Sequence, residues 1–168
     1  MDYTPGATMN ATRETFRAVN DHPMSQGTRV HQMAMYTLFE APLQMLADSP
    51  SKYMKEQECT DFIAKVPTVF DETVALDGEV GEYLTLARRK GDVWYIASMT
   101  DWDTHATVPS TFPSSEKEVT KPKSFPTASM PTVKLPTIKK EVRIVTAKDK
   151  LNVQLAPGGG WTARITKK

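Results

Sequence analysis

The residues Glu82-Tyr83-Leu84-Thr85-Leu86-Ala87-Arg88-Arg89-Lys90-Gly91-Asp92-Val93-Trp94-Tyr95-Ile96-Ala97-Ser98-Met99 decide the fold of the second half of the chain. Two apolar runs flank the turn-forming triplet Lys90-Gly91-Asp92. The pattern predicts a strand over Glu82–Arg89 and a return strand over Val93–Met99. Leu84 and Leu86 alternate with Tyr83, Thr85 and Ala87, while Trp94 and Ile96 alternate with Tyr95, Ala97 and Met99. A hairpin with one wet face shows cleaner alternation of apolar and polar residues. This one is expected to be covered on both faces, by a second sheet on one side and a preceding domain on the other.

Outward from this hairpin, Asp77-Gly78 is a two-residue hairpin signal, because a type I′ turn needs positive φ at both central positions. Toward the C-terminus, Glu141–Ala147 and Leu151–Leu155 predict another hairpin across Lys148-Asp149-Lys150. Ala156-Pro157-Gly158-Gly159-Gly160 reads as a loop and Trp161–Ile165 as a final strand. The glycine run is not a phosphate loop, since no Gly-Lys-Ser/Thr follows and no helix starts there. Together these strands predict an incomplete antiparallel β-sandwich.

The first part of the chain has a different rhythm. Val30, Met33, Ala34 and Leu38 share one face at helical spacing, predicting a helix over Thr28–Phe39 with Thr28 as its N-cap. Pro42 ends it. Leu43-Gln44-Met45-Leu46-Ala47, bracketed by Pro42 and Ser49-Pro50, is read as a buried strand, although periodicity alone does not separate it from a continuing helix. A second helix is expected where Cys59, Phe62, Ile63 and Val66 recur at core-like spacing. Helix, buried strand, helix suits the last βα unit of a parallel α/β fold. One such unit does not stand alone, because a parallel strand needs neighbours on both edges and helices on both faces. Asp48 would then sit at the C-terminal end of the strand, where barrel active sites are built. Asp2 and Tyr3, before a Thr-Pro-Gly turn, would hold the same place on the previous strand. The plainer alternative is that Asp48 caps the following helix.

Composition excludes several functions. The net charge of +1 over 168 residues gives no basic footprint for nucleic acid. No apolar run is long enough to span a bilayer. The single Cys59 rules out an internal disulfide and a multi-cysteine zinc site. The first residues lack the charged and apolar regions of a signal peptide. Pro109, Pro113, Pro122, Pro126, Pro131 and Pro136 are half of the chain's 12 prolines. The Ser/Thr/Pro/Lys-rich stretch 104–140 has no period, so it is expected to be disordered. The domains expected are therefore 1–66, then 67–103 with 141–168, separated by that insert.

Candidate chemistry is sparse. His31 lies in the amphipathic helix and is expected to be structural. His22 and His105 have no partner at metal spacing, so no metal site is expected. Asp71-Glu72 and Asp101-Trp102-Asp103 set carboxylates near aromatics, a pairing that suits sugars, though loop solvation explains them too. Cys59 has no evident base.

Several ordered strings closely resemble glycoside hydrolase family 97. They are Met1–Gly6, Thr28–Tyr36, Phe39–Pro50, Phe62–Thr68, Gly81-Glu82-Tyr83, Ala87–Gly91 and Ala156–Trp161. The resemblance covers 1–103 and 141–168. It implies an α/β plus β architecture: the end of a (β/α)8 catalytic barrel over 1–66, then a C-terminal antiparallel β-sandwich domain linked to oligomerisation. It implies hydrolysis of α-glucosides or α-galactosides, calcium at the active site of the intact enzyme, and export to a periplasm or the exterior. On that mapping the catalytic carboxylates lie upstream of Met1, and this chain supplies no catalytic residue. Asp2, Tyr3 and Asp48 are the substrate-pocket candidates, and the fragment alone is expected to bind no calcium and to be inactive. A non-catalytic β module for oligomerisation or carbohydrate contact is the alternative. Phe70 departs from the family, which has Trp there. Stretch 104–140 also departs, and codons can be chosen for Phe125–Lys140 so that a shifted frame restores the family's sequence. That fit leads to the expectation of compensating frameshifts.

Overall fold

The computed structural model describes residues 4–111, 120–125, 141–142 and 150–166. In chain order the elements are β1 (Asn10–Ala11), β2 (Ser25–Gln26), α1 (Arg29–Leu38), α2 (Pro50–Lys55), α3 (Gln57–Ile63), β3 (Glu72–Glu79), β4 (Tyr83–Lys90) and β5 (Val93–Thr100). They continue with β6 (Ala106–Thr111), β7 (Thr120–Phe125), β8 (Glu141–Val142), β9 (Lys150–Leu155) and β10 (Gly160–Thr166). The main sheet runs β3-β4-β5-β10-β7-β8, all neighbours antiparallel. β6 and β9 form a second antiparallel sheet, and β1 and β2 a short parallel pair.

The central hairpin forms as its sequence predicts, with Tyr83 opposite Thr100 and Lys90 opposite Val93. Both of its faces are buried, each by a different layer. Trp94 and Ile96 pack with Trp161, Ala163 and Ile165 of β10 and with Val108, Val153 and Leu155 of the second sheet. On the opposite face Tyr95 packs with Val30, Met33 and Phe62, and Ala97 with Ala34 and Leu38. The second face is therefore closed by α1 and α3. Thr85 and Ser98, fully buried on the sandwich side, satisfy each other through hydroxyls 2.8 Å apart.

The approach of α1 to the sheet is set by small residues. Gly160 pairs with Met99 and Thr162 with Ala97, beneath the first turns of the helix. A Cβ on Gly160 would lie 2.5 Å from His31 Cα. Thr28 caps α1, its hydroxyl accepting from the His31 N–H at 3.1 Å, and its own N–H donates to the Gly158 carbonyl at 3.0 Å. At the other end Arg88, 3 % exposed, donates to the carbonyls of Thr37 (3.2 Å) and Phe39 (3.3 Å) and stacks over Phe70 at 4.2 Å. A cation there also meets the negative end of the helix dipole.

Four expectations from sequence need correction. Asp77-Gly78 is not the turn: both residues lie within β3, beside a register shift between Ala75 and Asp77. The turn falls at Val80-Gly81, where Gly81 has φ 87° and the Glu82 N–H donates to the Glu79 carbonyl at 3.0 Å. A turn with positive φ at its third residue needs Gly there just as strongly as the one anticipated. Second, β9 has a partner the sequence does not announce, pairing with β6; of the strand expected over Glu141–Ala147, 143–147 lie outside the described residues. Third, the described parts of 104–140 are not disordered. β6 supplies fully buried Val108 to the core, and β7 pairs with β10. The run Ala106-Thr107-Val108 alternates correctly but is too short to stand out from its Pro-rich surroundings. Fourth, Leu43–Ala47 is not a buried strand. Only Gln44 makes an isolated bridge, and Leu43, Met45 and Leu46 are 61 %, 43 % and 53 % exposed. Among the described residues there is no neighbouring strand for that run to join.

Gly160→Ala is expected to destabilise the fold by about 2–3 kcal/mol, because the close-packed backbone of α1 has to move. Gly81→Ala meets nothing within 4 Å and carries only the strain of positive φ, about 1 kcal/mol. Urea unfolding of the two variants checks the order.

Candidate functional site

Two neighbourhoods gather polar side chains around a cavity or groove. The first surrounds Asp48. Its side chain is fully buried, and its Oδ2 accepts from both the N–H (2.5 Å) and the hydroxyl (2.6 Å) of Thr8. Lys52 Nζ stands 3.4 Å from Oδ1, one helical turn on. The Asp48 N–H donates to the Tyr53 hydroxyl at 3.1 Å. Two further side chains hold the same irregular segment. The Gly6 N–H donates to Gln32 Oε1 at 2.6 Å, and Arg29 Nε donates to the Thr8 carbonyl at 2.9 Å while its Nη1 pairs with Glu56 at 2.8 Å. Residues 6–8 thus have no regular secondary structure but are fixed by three side chains. A cavity of about 20 Å³, room for one water, lies among Gly6, Thr8, Arg29, Gln32 and Cys59. Asp48 does not line it. Asp2 and Tyr3 lie outside the described residues. Asp48 does not cap α2 either: the N-cap is Ser49, with Pro50 at the first helical position.

The second neighbourhood is an open groove of about 900 Å³ where the β3–β4 turn, the end of β5 and the first turn of α1 meet. Leu76, Leu84 and Met99 give it apolar lining, Tyr83 and Trp102 aromatic lining, and Asp77, Glu79, Glu82 and Asp101 carboxylates. Asp101 is one of the residues noted from sequence. Its Oδ1 accepts from the N–H groups of Asp103 (3.2 Å) and Thr104 (2.8 Å), and hydrogen bonding from Thr104 holds its carboxyl below the usual range. Burial and then the neighbouring Asp77 push the Tyr83 phenol upward. The sequence missed Tyr83, Glu79 and Glu82 as a group, since only the bulge and turn of β3–β4 bring them together.

The remaining candidates are structural. Asp71 binds the tip of the β4–β5 hairpin, through Lys90 Nζ at 2.8 Å and the Gly91 N–H at 2.7 Å, and Glu72 pairs with Arg89 at 2.8 Å. Cys59 is buried, and that burial, reinforced by Glu56, pushes its thiol up to about 11, so it is no nucleophile at neutral pH. His31 is packed against the glycine loop with Nδ1 3.0 Å from the Gly159 carbonyl. A carbonyl only accepts, so Nδ1 carries the proton. Burial lowers the His31 pKa, and the Gly159 hydrogen bond opposes this. Among the described residues no three His, Cys, Asp or Glu side chains are grouped to hold a metal. No described helix is long and apolar enough to cross a membrane.

Fold and geometry define a mostly antiparallel β domain with a small helical segment docked on one face of its main sheet. Residues 69–166 match the family model described as "Glycosyl-hydrolase 97 C-terminal, oligomerisation", and the chain belongs to glycoside hydrolase family 97. It is similar to the retaining alpha-galactosidase of Bacteroides thetaiotaomicron, 42 % identical over an alignment of 182 positions that covers 98 % of this chain and 25 % of that protein. Among solved structures it resembles a family 97 enzyme of Pseudoalteromonas sp. strain K8 in complex with acarbose. That match has a TM-score of 0.73 and 29 % identity, over 83 % of this chain and 22 % of that one. A beta-arabinopyranosidase aligns with a TM-score of 0.71 and 26 % identity, over 95 % and 24 % respectively. The chain therefore spans about a quarter of the length of these relatives.

Two outcomes are expected at these residues. The folded pKa of His31 is lowered, so its contribution is complete above the unfolded value of 6.5 and is lost as pH falls below it toward the folded value. Thermal melts between pH 7.5 and 5 should show falling stability, and His31→Gln should flatten that slope. Asp48→Ala strands the Thr8 N–H and Lys52, and urea unfolding should show a loss of about 3 kcal/mol. Asp48→Asn, which keeps an acceptor, should lose less.

Proposed function

We propose that this chain is the C-terminal part of an α-glycosidase acting on α-glucosides or α-galactosides, in which residues up to 66 complete a (β/α)8 barrel and the rest forms the β domain. The observation that carries the barrel reading is the exposure of Leu43, Met45 and Leu46, together with Met54 at 66 %. Apolar side chains grouped this way are expected where a partner surface covers them. A strand from the rest of a barrel would cover the first three and pair with the backbone of Leu43–Ala47. The fourfold greater length of the relatives agrees with this.

Glycoside hydrolysis needs two carboxyl groups set across the scissile bond. In this reading both are contributed by preceding segments, as are the ligands of calcium. The chain's own residues shape the pocket wall. Asp48, Gln32 and Arg29 hold residues 6–8, and Asp2, Tyr3 and Asp48 are the residues this reading assigns to the pocket. Copies of the protein associate through the β domain, as the family model's description suggests, and the whole enzyme is exported. A shifted reading frame over part of 104–140 is our proposal for the divergent sequence of that stretch.

The purified chain is expected to release no p-nitrophenol from p-nitrophenyl α-galactoside or α-glucoside, whereas the protein extended upstream in the same gene should do so. Turnover by the chain alone would overturn the assignment of the carboxylates to preceding segments. An inactive extended protein would overturn the glycosidase reading.

A further inference from the structure

We propose that the groove between the β3–β4 turn and Trp102 binds a neutral oligosaccharide. The inference builds on the glycosidase reading for its choice of sugar but rests on the groove's own chemistry. A pyranose ring presents C–H faces and a rim of hydroxyls. It is recognised by an aromatic platform beside hydrogen-bond acceptors, with apolar contact beneath.

The groove supplies each part. Trp102 is the platform. Its six-membered ring is seated on the glycine loop so closely that a Cβ on Gly158 would lie 2.8 Å from Cζ3, and one on Gly27 would lie 3.6 Å from Cη2. A ring held that way has little rotamer freedom left to lose on binding. Tyr83 stands at the groove's rim and packs with Leu76 on the other face of the sheet from Leu84 and Met99, so Trp102 is the single platform. Leu84 and Met99, half-buried, give the apolar contact. Glu79 and Glu82 are exposed and in no ion pair among the described residues, which leaves their oxygens free to accept from hydroxyls.

Other occupants fit less well. The lining holds four carboxylates, and the cation beside it, Arg13, stands 5.7 Å from the Trp102 ring centroid and pairs with Asp103, a balance that disfavours phosphate, nucleic acid and acidic sugars. Cores of protein–protein contacts are depleted of charge, so the same carboxylates argue against a buried domain contact here. They are not grouped to hold a metal ion.

The test uses the chain itself. Trp94 and Trp161 are 8 % and 3 % exposed, so a sugar-induced fluorescence change reports chiefly on half-buried Trp102. Titration with maltotriose and with raffinose is expected to give a saturable change for at least one. The Glu79→Gln/Glu82→Gln variant, whose substitutions touch no described ion pair, should keep its melting temperature and bind about threefold to tenfold more weakly, the loss of about one hydrogen bond. A linear, unsaturable response to both sugars would overturn the proposal, as would unchanged affinity in the variant. Saturable binding of spermidine that neither sugar displaces would also overturn it, by showing a cation site. None of these outcomes bears on hydrolysis by the extended protein, so the two readings stand or fall separately.

Discussion

The structure depends on one close approach: the backbone of α1 at Val30 and His31 lies directly on Gly160 at the start of β10. Around that contact several polar groups have defined partners. Thr28 bonds the Gly158 carbonyl, His31 the Gly159 carbonyl, and the Thr100 N–H and hydroxyl the carbonyls of Gly159 and Ala156. Buried backbone groups need such partners. The loop Ala156–Gly160 is therefore a socket for the helix, and its glycines serve packing rather than ligand binding. Because the helix comes this close, Ala34 can meet Ala97 with both fully buried, and the aromatic layer of Tyr95, Phe62 and Phe70 closes behind them.

That joint explains why the helical segment and the β domain are continuous. The central hairpin is sandwiched, with Trp94 and Ile96 in one core and Tyr95 and Ala97 in another. Neither layer alone buries both faces of β5. Arg88 ties the far end of α1 to the sheet, and Tyr95 reaches the Lys65 carbonyl after α3. What remains open lies elsewhere, on the stretch from Leu43 to Met54 and in the groove beside Trp102.

Much of this was legible in the sequence, for identifiable reasons. The hairpin over 82–99 announced itself because two long apolar runs flank a turn triplet, and its double burial because neither face is polar. Thr28 was recognisable as a cap because a hydroxyl residue precedes the first apolar position of a periodic run. The failures share a cause: they turn on contacts distant in sequence. Asp77-Gly78 has ideal turn chemistry, but a bulge shifts the register and moves the turn to Gly81. β6 is hidden because a three-residue alternation is weak until β9 pairs with it. Leu43–Ala47 reads as a buried strand because its residues are apolar, and local pattern carries no information on whether neighbours are present. The buried role of Asp48 was likewise out of reach, since Thr8 lies 40 residues away.

The central claim is that α1 and the main sheet form one cooperative unit joined at Gly160. Native-state hydrogen exchange of the chain, followed amide by amide, tests it most directly. The account predicts that the amides of α1, such as Met33, Ala34 and Leu38, share one opening free energy with those of β5 and β10. Exchange of α1 at a much lower free energy, with β5 and β10 still protected, would contradict it.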